Sequence, residues 1–176
     1  WPRADALALY ERIADAPVDT VYLGETVCSK RRALGPDDWI ALGRALAAAG
    51  KEVVLSTLTL IEARSELGAV RRLCDNGELA VEAGDMSAVG LLSERGLPFV
   101  GGPALNIYSA ETLGVLADVG LYRWVPPVEM PADSLEALFS DWERTERGRM
   151  PDTELFAVGR IPLAWSARCF TARAHA

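Results

Sequence analysis

With 176 residues, half of them apolar, the chain is long enough to bury one sizeable core and too apolar to remain disordered. A net charge of -7 argues against tight contact with nucleic acid, which binds through basic faces. No apolar run approaches the ~20 residues that cross a bilayer, and the opening WPRADALALYER is too polar for a signal peptide, so a cytoplasmic protein without a transmembrane segment is expected.

In chain order, a helix is expected from about Ala4 to Ala14, with Ala6, Tyr10 and Ile13 on one face. From Thr20 onward one unit recurs: a short β-branched or apolar run, a cap residue, a helix-period stretch, then glycine. The runs Thr20 to Leu23, Glu52 to Leu55, Leu79 to Ala83, Pro98 to Gly101, Leu121 to Val125 and Thr153 to Val158 read as six strands. Between them lie apolar stripes such as Trp39, Leu42, Leu46 and Ala49, or Leu135, Leu138, Phe139 and Trp142, which need a sheet to cover. Asp37, Asp85, Ser109 and Asp133 stand where N-caps belong, and Asp133 with Glu136 has capping-box spacing. Gly50, Gly77, Gly96, Gly120 and Gly148 stand where a left-handed residue ends a helix. The stretch around residues 144 to 152 reads as a loop rather than a linker.

Strict alternation of strand and helix implies a parallel sheet, and units this uniform, without a GxGxxG or Walker loop, favour an α/β fold of the TIM-type (β/α) barrel. A closed barrel takes eight strands. The expectation is therefore an incomplete barrel of about six strands, forming one domain over residues 1–176, with one strand missing before Trp1 and one after Ala176.

In such a barrel chemistry gathers where the strands end, so the residues after each strand are the candidates. Glu25, Cys28, Lys30 and Arg31 follow the first strand; Ser56 follows the second and Glu82 lies on the third. Asn106 follows the fourth, Glu129 the fifth, and Arg160, Arg168 and Cys169 the sixth. Cys28 and Cys169 each lie beside Arg or Lys, which favours the thiolate and with it metal ligation or nucleophilic attack; a small buried hydrophobe is the competing reading. Cys74 falls on the stripe Ala63, Leu67, Val70 and belongs to the core. Lys30, Arg31, Arg160 and Arg168, with Ser56 and Asn106, would suit an anionic small molecule, because guanidinium forks grip carboxylates at two points; a solvated surface is the alternative. Glu25 and Glu129 are the candidate catalytic acids or bases, with Glu82 beside them, unless they merely neutralise these arginines. His175 is the only histidine, so a histidine-based triad or metal site is hard to assemble.

The segments VYLGETVCSKRR, VLSTLTLIEARSELG, LPFVGGPALNIYSAETL, RWVPPVEM and GRIPLAWSARCFTAR, in this order, resemble the peptidase U32 family, and most its branch of UbiV-type ubiquinone-biosynthesis proteins. The resemblance implies a barrel holding an oxygen-sensitive [4Fe-4S] cluster on four cysteines and a heterodimer with a UbiU-like U32 protein. It implies oxygen-independent hydroxylation of the ubiquinone precursor ring, with prephenate as oxygen donor. By position, Cys28 and Cys169 match two cluster ligands; the other two belong to a cysteine-rich segment expected after residue 176, so a complete cluster is not expected on this chain. The alternatives are RNA base hydroxylation, as other U32 proteins would allow, and a non-catalytic partner that stabilises UbiU or passes electrons to it.

Overall fold

The computed structural model describes residues 2–30, 33–161 and 165. After an opening helix α1 (Arg3–Ala14) the chain alternates β1 (Thr20–Leu23), α2 (Pro36–Ala48), β2 (Glu52–Ser56), α3 (Arg64–Cys74), β3 (Ala80–Ala83) and α4 (Met86–Glu94). It continues through β4 (Phe99–Gly101), a 3-10 turn at Pro103–Leu105, α5 (Ala110–Asp118), β5 (Leu121–Trp124), α6 (Ala132–Arg144) and β6 (Asp152–Thr153). Among the described residues the six strands form one sheet in sequence order, every neighbouring pair parallel. This is a curled half-barrel, the architecture that repeated βα units dictate, because each helix must return the chain to the same end of the sheet.

Along β1 to β3 the period of two divides the side chains between two environments, and β5 departs from it where its register against β4 shifts. Val21, Leu23, Val53, Leu55, Val81, Ala83, Phe99, Leu121 and Trp124 join the core that the helices cover. Ile40 and Leu46 of α2, Val70 and Leu73 of α3, Leu113 of α5 and Leu138 and Trp142 of α6 meet them there. Leucines of this kind contribute about 1.5–3 kcal/mol each on full burial. The α2 stripe is rotated from the expected one: Ile40, Gly43 and Leu46 are its buried residues, while Trp39 and Leu42 flank the core and Ala49 is the exposed C-cap. Glycine at 43 lets α2 lie close to the sheet: a Cβ there would stand 2.6 Å from the end of the Leu79 side chain and 3.2 Å from that of Val53, so Leu79 would have to shift.

Helix ends follow local chemistry, with two corrections. Asp85 caps α4 by accepting from Ser87 N–H (2.8 Å), and Ser109 caps α5 by accepting from Thr112 N–H (3.2 Å). Asp37 does not cap α2: Gly35 does, with Pro36 at the first helical position and Asp38, not Asp37, accepting from Gly35 N–H (2.9 Å). Pro36 shifts the boundary because its fixed φ suits the first turn and it has no N–H to satisfy. Asp133 likewise lies inside the first turn of α6, whose N-cap is Pro131. The five glycines expected to end helices all have positive φ, from 62° at Gly96 to 113° at Gly120.

β6 is also shorter than the expected run to Val158. After Trp124 pairs with Thr153 and Glu154 N–H donates to Trp124 O (3.0 Å), the next rung would need a donor at position 126. That residue is Pro126, which has none. The chain beyond Glu154 leaves the ladder, and Leu155, Phe156, Val158 and Ile161 are exposed.

Candidate functional site

Three strand ends lie so close together that side chains are excluded between them. At Gly24, just past β1, a Cβ would stand 2.3 Å from Ser56 O, and its φ of +148° is itself disfavoured for L side chains. At Gly84, past β3, a Cβ would stand 2.7 Å from Thr57 O. Thr57, fully buried, fastens the same ends: its N–H and Oγ1–H donate to Glu82 O (3.1 and 3.0 Å), and Oγ1 accepts from Gly84 N–H (2.9 Å). The rim carrying Ser56 and Glu82 is therefore held by close backbone approach and by the buried Thr57 hydroxyl.

The concave face of the sheet carries a polar network beside the buried Val54 and Val100. Thr20 Oγ1–H donates to Glu52 Oε2 (2.7 Å), Arg123 Nη2 donates to Glu52 Oε1 (2.9 Å), and Arg123 Nη1 lies 3.8 Å from Glu154 Oε2. Tyr22 O–H donates to the same Glu154 oxygen (2.7 Å), joining the first strand to the residue after the last. The Thr20 hydroxyl and then the Arg123 guanidinium hold the Glu52 carboxyl below its usual range. Burial, helped by the Glu154 bond, raises the Tyr22 phenol. Burial opposes the charge of Arg123, but Glu52 and Tyr22 outweigh it and raise its pKa.

Glu82 stands nearer the rim and is the carboxyl most withdrawn from solvent there, at 8 % exposure. It is paired in register with Ser56 of β2, 4 % exposed, and with Val100 of β4, which is fully buried. Burial raises its pKa; the hydrogen bond with Ser56 works the other way, and Glu154 adds to the rise.

The candidate residues separate on this frame. Glu25 closes the loop after β1, accepting from the N–H groups of Val27 (3.1 Å) and Cys28 (3.0 Å). Cys28 is half-buried in that loop, beyond the C-terminal end of β1, and Lys30 is exposed. The loop is tied to the one after β2, where Thr59 N–H and Oγ1–H both donate to Thr26 O (3.0 and 2.8 Å). Glu129 is exposed and accepts from the Tyr108 hydroxyl, which lowers its pKa. Asn106 is exposed in the left-handed region (φ 54°) as the cap of the 3-10 turn, and Arg160 is exposed past Gly159. Arg31, Arg168 and Cys169 lie outside the described residues. Cys74 is 1 % exposed in the core, and burial pushes its thiol up to about 11.

A cavity of about 470 Å³ opens beside the Cys28 loop, between the starts of α2 and α3, with Trp39, Leu58 and Val70 as apolar wall and Glu25, Ser29 and Glu66 among its polar lining. Two others, of about 430 and 380 Å³, border Tyr122 at the opposite end of the sheet, where residues of a parallel barrel serve stability.

Sequence reasoning did not reach Tyr22, Glu52, Arg123 and Glu154. The signal was present as alternation: Thr20/Tyr22, Glu52/Ser56 and Glu82 place polar residues at one parity of neighbouring strands, whereas strands buried on both faces are ordinarily apolar throughout.

Together, a parallel half-barrel of βα units and a rim built from strand ends define an α/β protein whose architecture is consistent with an incomplete TIM-like barrel. The family model for peptidase family U32 matches residues 5–176. The chain belongs to the U32 family.

Proposed function

We propose that the chain is the barrel portion of an iron–sulfur U32 protein of the UbiV type, acting with a UbiU-like partner in oxygen-independent hydroxylation of the ubiquinone precursor ring. The observation that supports this reading is the place of Cys28, a half-buried thiol in a pinned loop at the strand-end rim of a U32 barrel.

The donor set fits a cluster in part. Cys28 suits a ligand: its loop is fixed by the Glu25 turn and by the Thr26–Thr59 contacts, so little ordering remains to be done on binding. Cys74 does not fit, since it is enclosed by the core and its thiol resists ionisation. With Cys169 the chain would supply two thiolates, and a four-thiolate cluster needs two more from outside these residues. A bound [4Fe-4S] cluster supplies one-electron chemistry. The chain's own part is to position small molecules over the mouth: Lys30, Arg31, Arg160 and Arg168 as cations toward an anion such as prephenate, Ser56 and Asn106 as hydrogen-bonding groups. The proteolysis implied by the family's label would require a nucleophile and base, for which the single His175 offers little.

The test is anaerobic reconstitution of the full-length protein with its UbiU-like partner. Cys28→Ala and Cys169→Ala should each lose iron and ring hydroxylation. Iron retained in both removes the cluster assignment, whereas iron lost with turnover retained makes the cluster structural.

A further inference from the structure

We infer that the cavity between α2 and α3 is a ligand site of its own, taking a neutral, chiefly apolar small molecule with a hydroxyl or carbonyl at one end, and not an anion. The inference goes beyond the reading above and does not need it, because it rests on a cavity of the helix layer and not on thiols.

At about 470 Å³ the cavity falls in the size range of small-molecule sites. It lies on the strand-end side of the fold, and Ser29, the neighbour of Cys28, is in its lining. Its apolar wall is made of side chains that the core already holds, since Leu34, Leu58, Val70 and Leu73 are all buried. Trp39 adds an aromatic surface whose orientation is set by α1, where Tyr10 meets it edge-on with ring centroids 5.9 Å apart and planes at 88°. The frame is joined as well. Arg72 Nε donates to Asp37 Oδ1 (2.7 Å), linking α3 to α2, and Thr59 holds the loop of Thr26. A ligand would therefore meet a preformed space, and little of its binding energy would go into ordering the protein.

The lining also decides which charge is admitted. Among the described residues it holds two carboxylates, Glu25 and Glu66, and no cationic side chain. Both carboxylates are engaged by backbone: Glu25 accepts from Val27 and Cys28 N–H, and Glu66 accepts from Ala63 N–H (3.0 Å) in the capping box of α3. An anion placed beside them would give up its water without gaining a partner, a far larger cost than a hydroxyl or carbonyl incurs. Lys30 and Arg160, assigned above to an anion, are not in this lining. Ser65, exposed at the lip, and Ser29 offer hydroxyls to one polar end.

Photolabelling of the anaerobically isolated full-length protein tests this with two probes of matched size, neutral para-benzoylbenzamide and anionic para-benzoylbenzoate. Peptide mass spectrometry should place the neutral probe on the segments carrying Trp39, Leu58 and Val70, at least several-fold above the anion. Ala69→Phe adds a ring to the lining from a half-buried position on α3, and should reduce that labelling several-fold at unchanged Tm. Ala69→Leu, a smaller addition, should reduce it in part and keeps the test sound if the larger ring unsettles α3. Labelling scattered over the surface, equal labelling by both probes, or labelling that neither variant reduces would overturn the inference. So would an absence of label on these segments, which would mean that another part of the full-length protein fills the space. Iron content should be unchanged in Ala69→Phe and labelling unchanged in Cys28→Ala, so failure of this cavity and failure of the cluster assignment are read separately.

Discussion

Among the glutamates of the rim, burial separates roles that residue type cannot. Glu25 and Glu129 follow strand ends and invite assignment as acids or bases, yet one closes its own loop and the other sits exposed against Tyr108. Glu82 is the one removed from water. Its raised pKa carries a sign for stability: the folded state holds a proton that the unfolded state releases, so stability from this group is present at low pH and is lost as pH rises through the folded value. Glu82→Gln cannot ionise and escapes that loss. Urea titrations across mildly acidic to neutral pH should therefore find the variant gaining stability relative to the wild type as pH rises; a pH-independent difference would contradict the assignment. Glu52 has the opposite sign, since its lowered pKa adds stability above the usual glutamate range that is lost on acidification.

At the scale of elements, Arg123 is the tie. It draws Glu52 of β2 and Glu154 beyond β6 toward β5, while Tyr22 of β1 holds Glu154 from the other side. The Arg123 side chain is 18 % exposed and that of Glu52 is 40 %, so the pair lies between the surface limit and the buried limit for ion pairs. Arg123→Ala should cost about 2 kcal/mol, read as a lower urea midpoint; an unchanged midpoint would mean that the curled face does not depend on the tie. Elements of this kind were legible where one local rule decides. The strand at Thr20–Leu23 and the caps Asp85 and Ser109 follow from propensity and hydrogen-bonding chemistry over a few residues. The end of β6 was not, because it is set by Pro126, two residues past the end of β5, and Arg123 gave no warning of its partner 71 residues away.

For the molecule as a whole, the βα cadence fixes that all strand ends share one side of the sheet, and this is what lets loops far apart in sequence build one mouth. The Tyr22–Glu154 bond, across 132 residues, joins β1 to the residue after β6 in the same way. The proposed meeting of Cys28 with Cys169, 141 residues apart, is of this kind. It is the claim on which the iron–sulfur reading rests. It is tested most directly by a short bis-maleimide added anaerobically to the full-length protein without its iron, in a background where Cys74 and any cysteine beyond these residues are replaced by Ala. An intramolecular Cys28–Cys169 cross-link identified by peptide mass spectrometry is the expected result. Two separate mono-adducts, with no cross-linked peptide, would place the thiols apart and contradict the shared site.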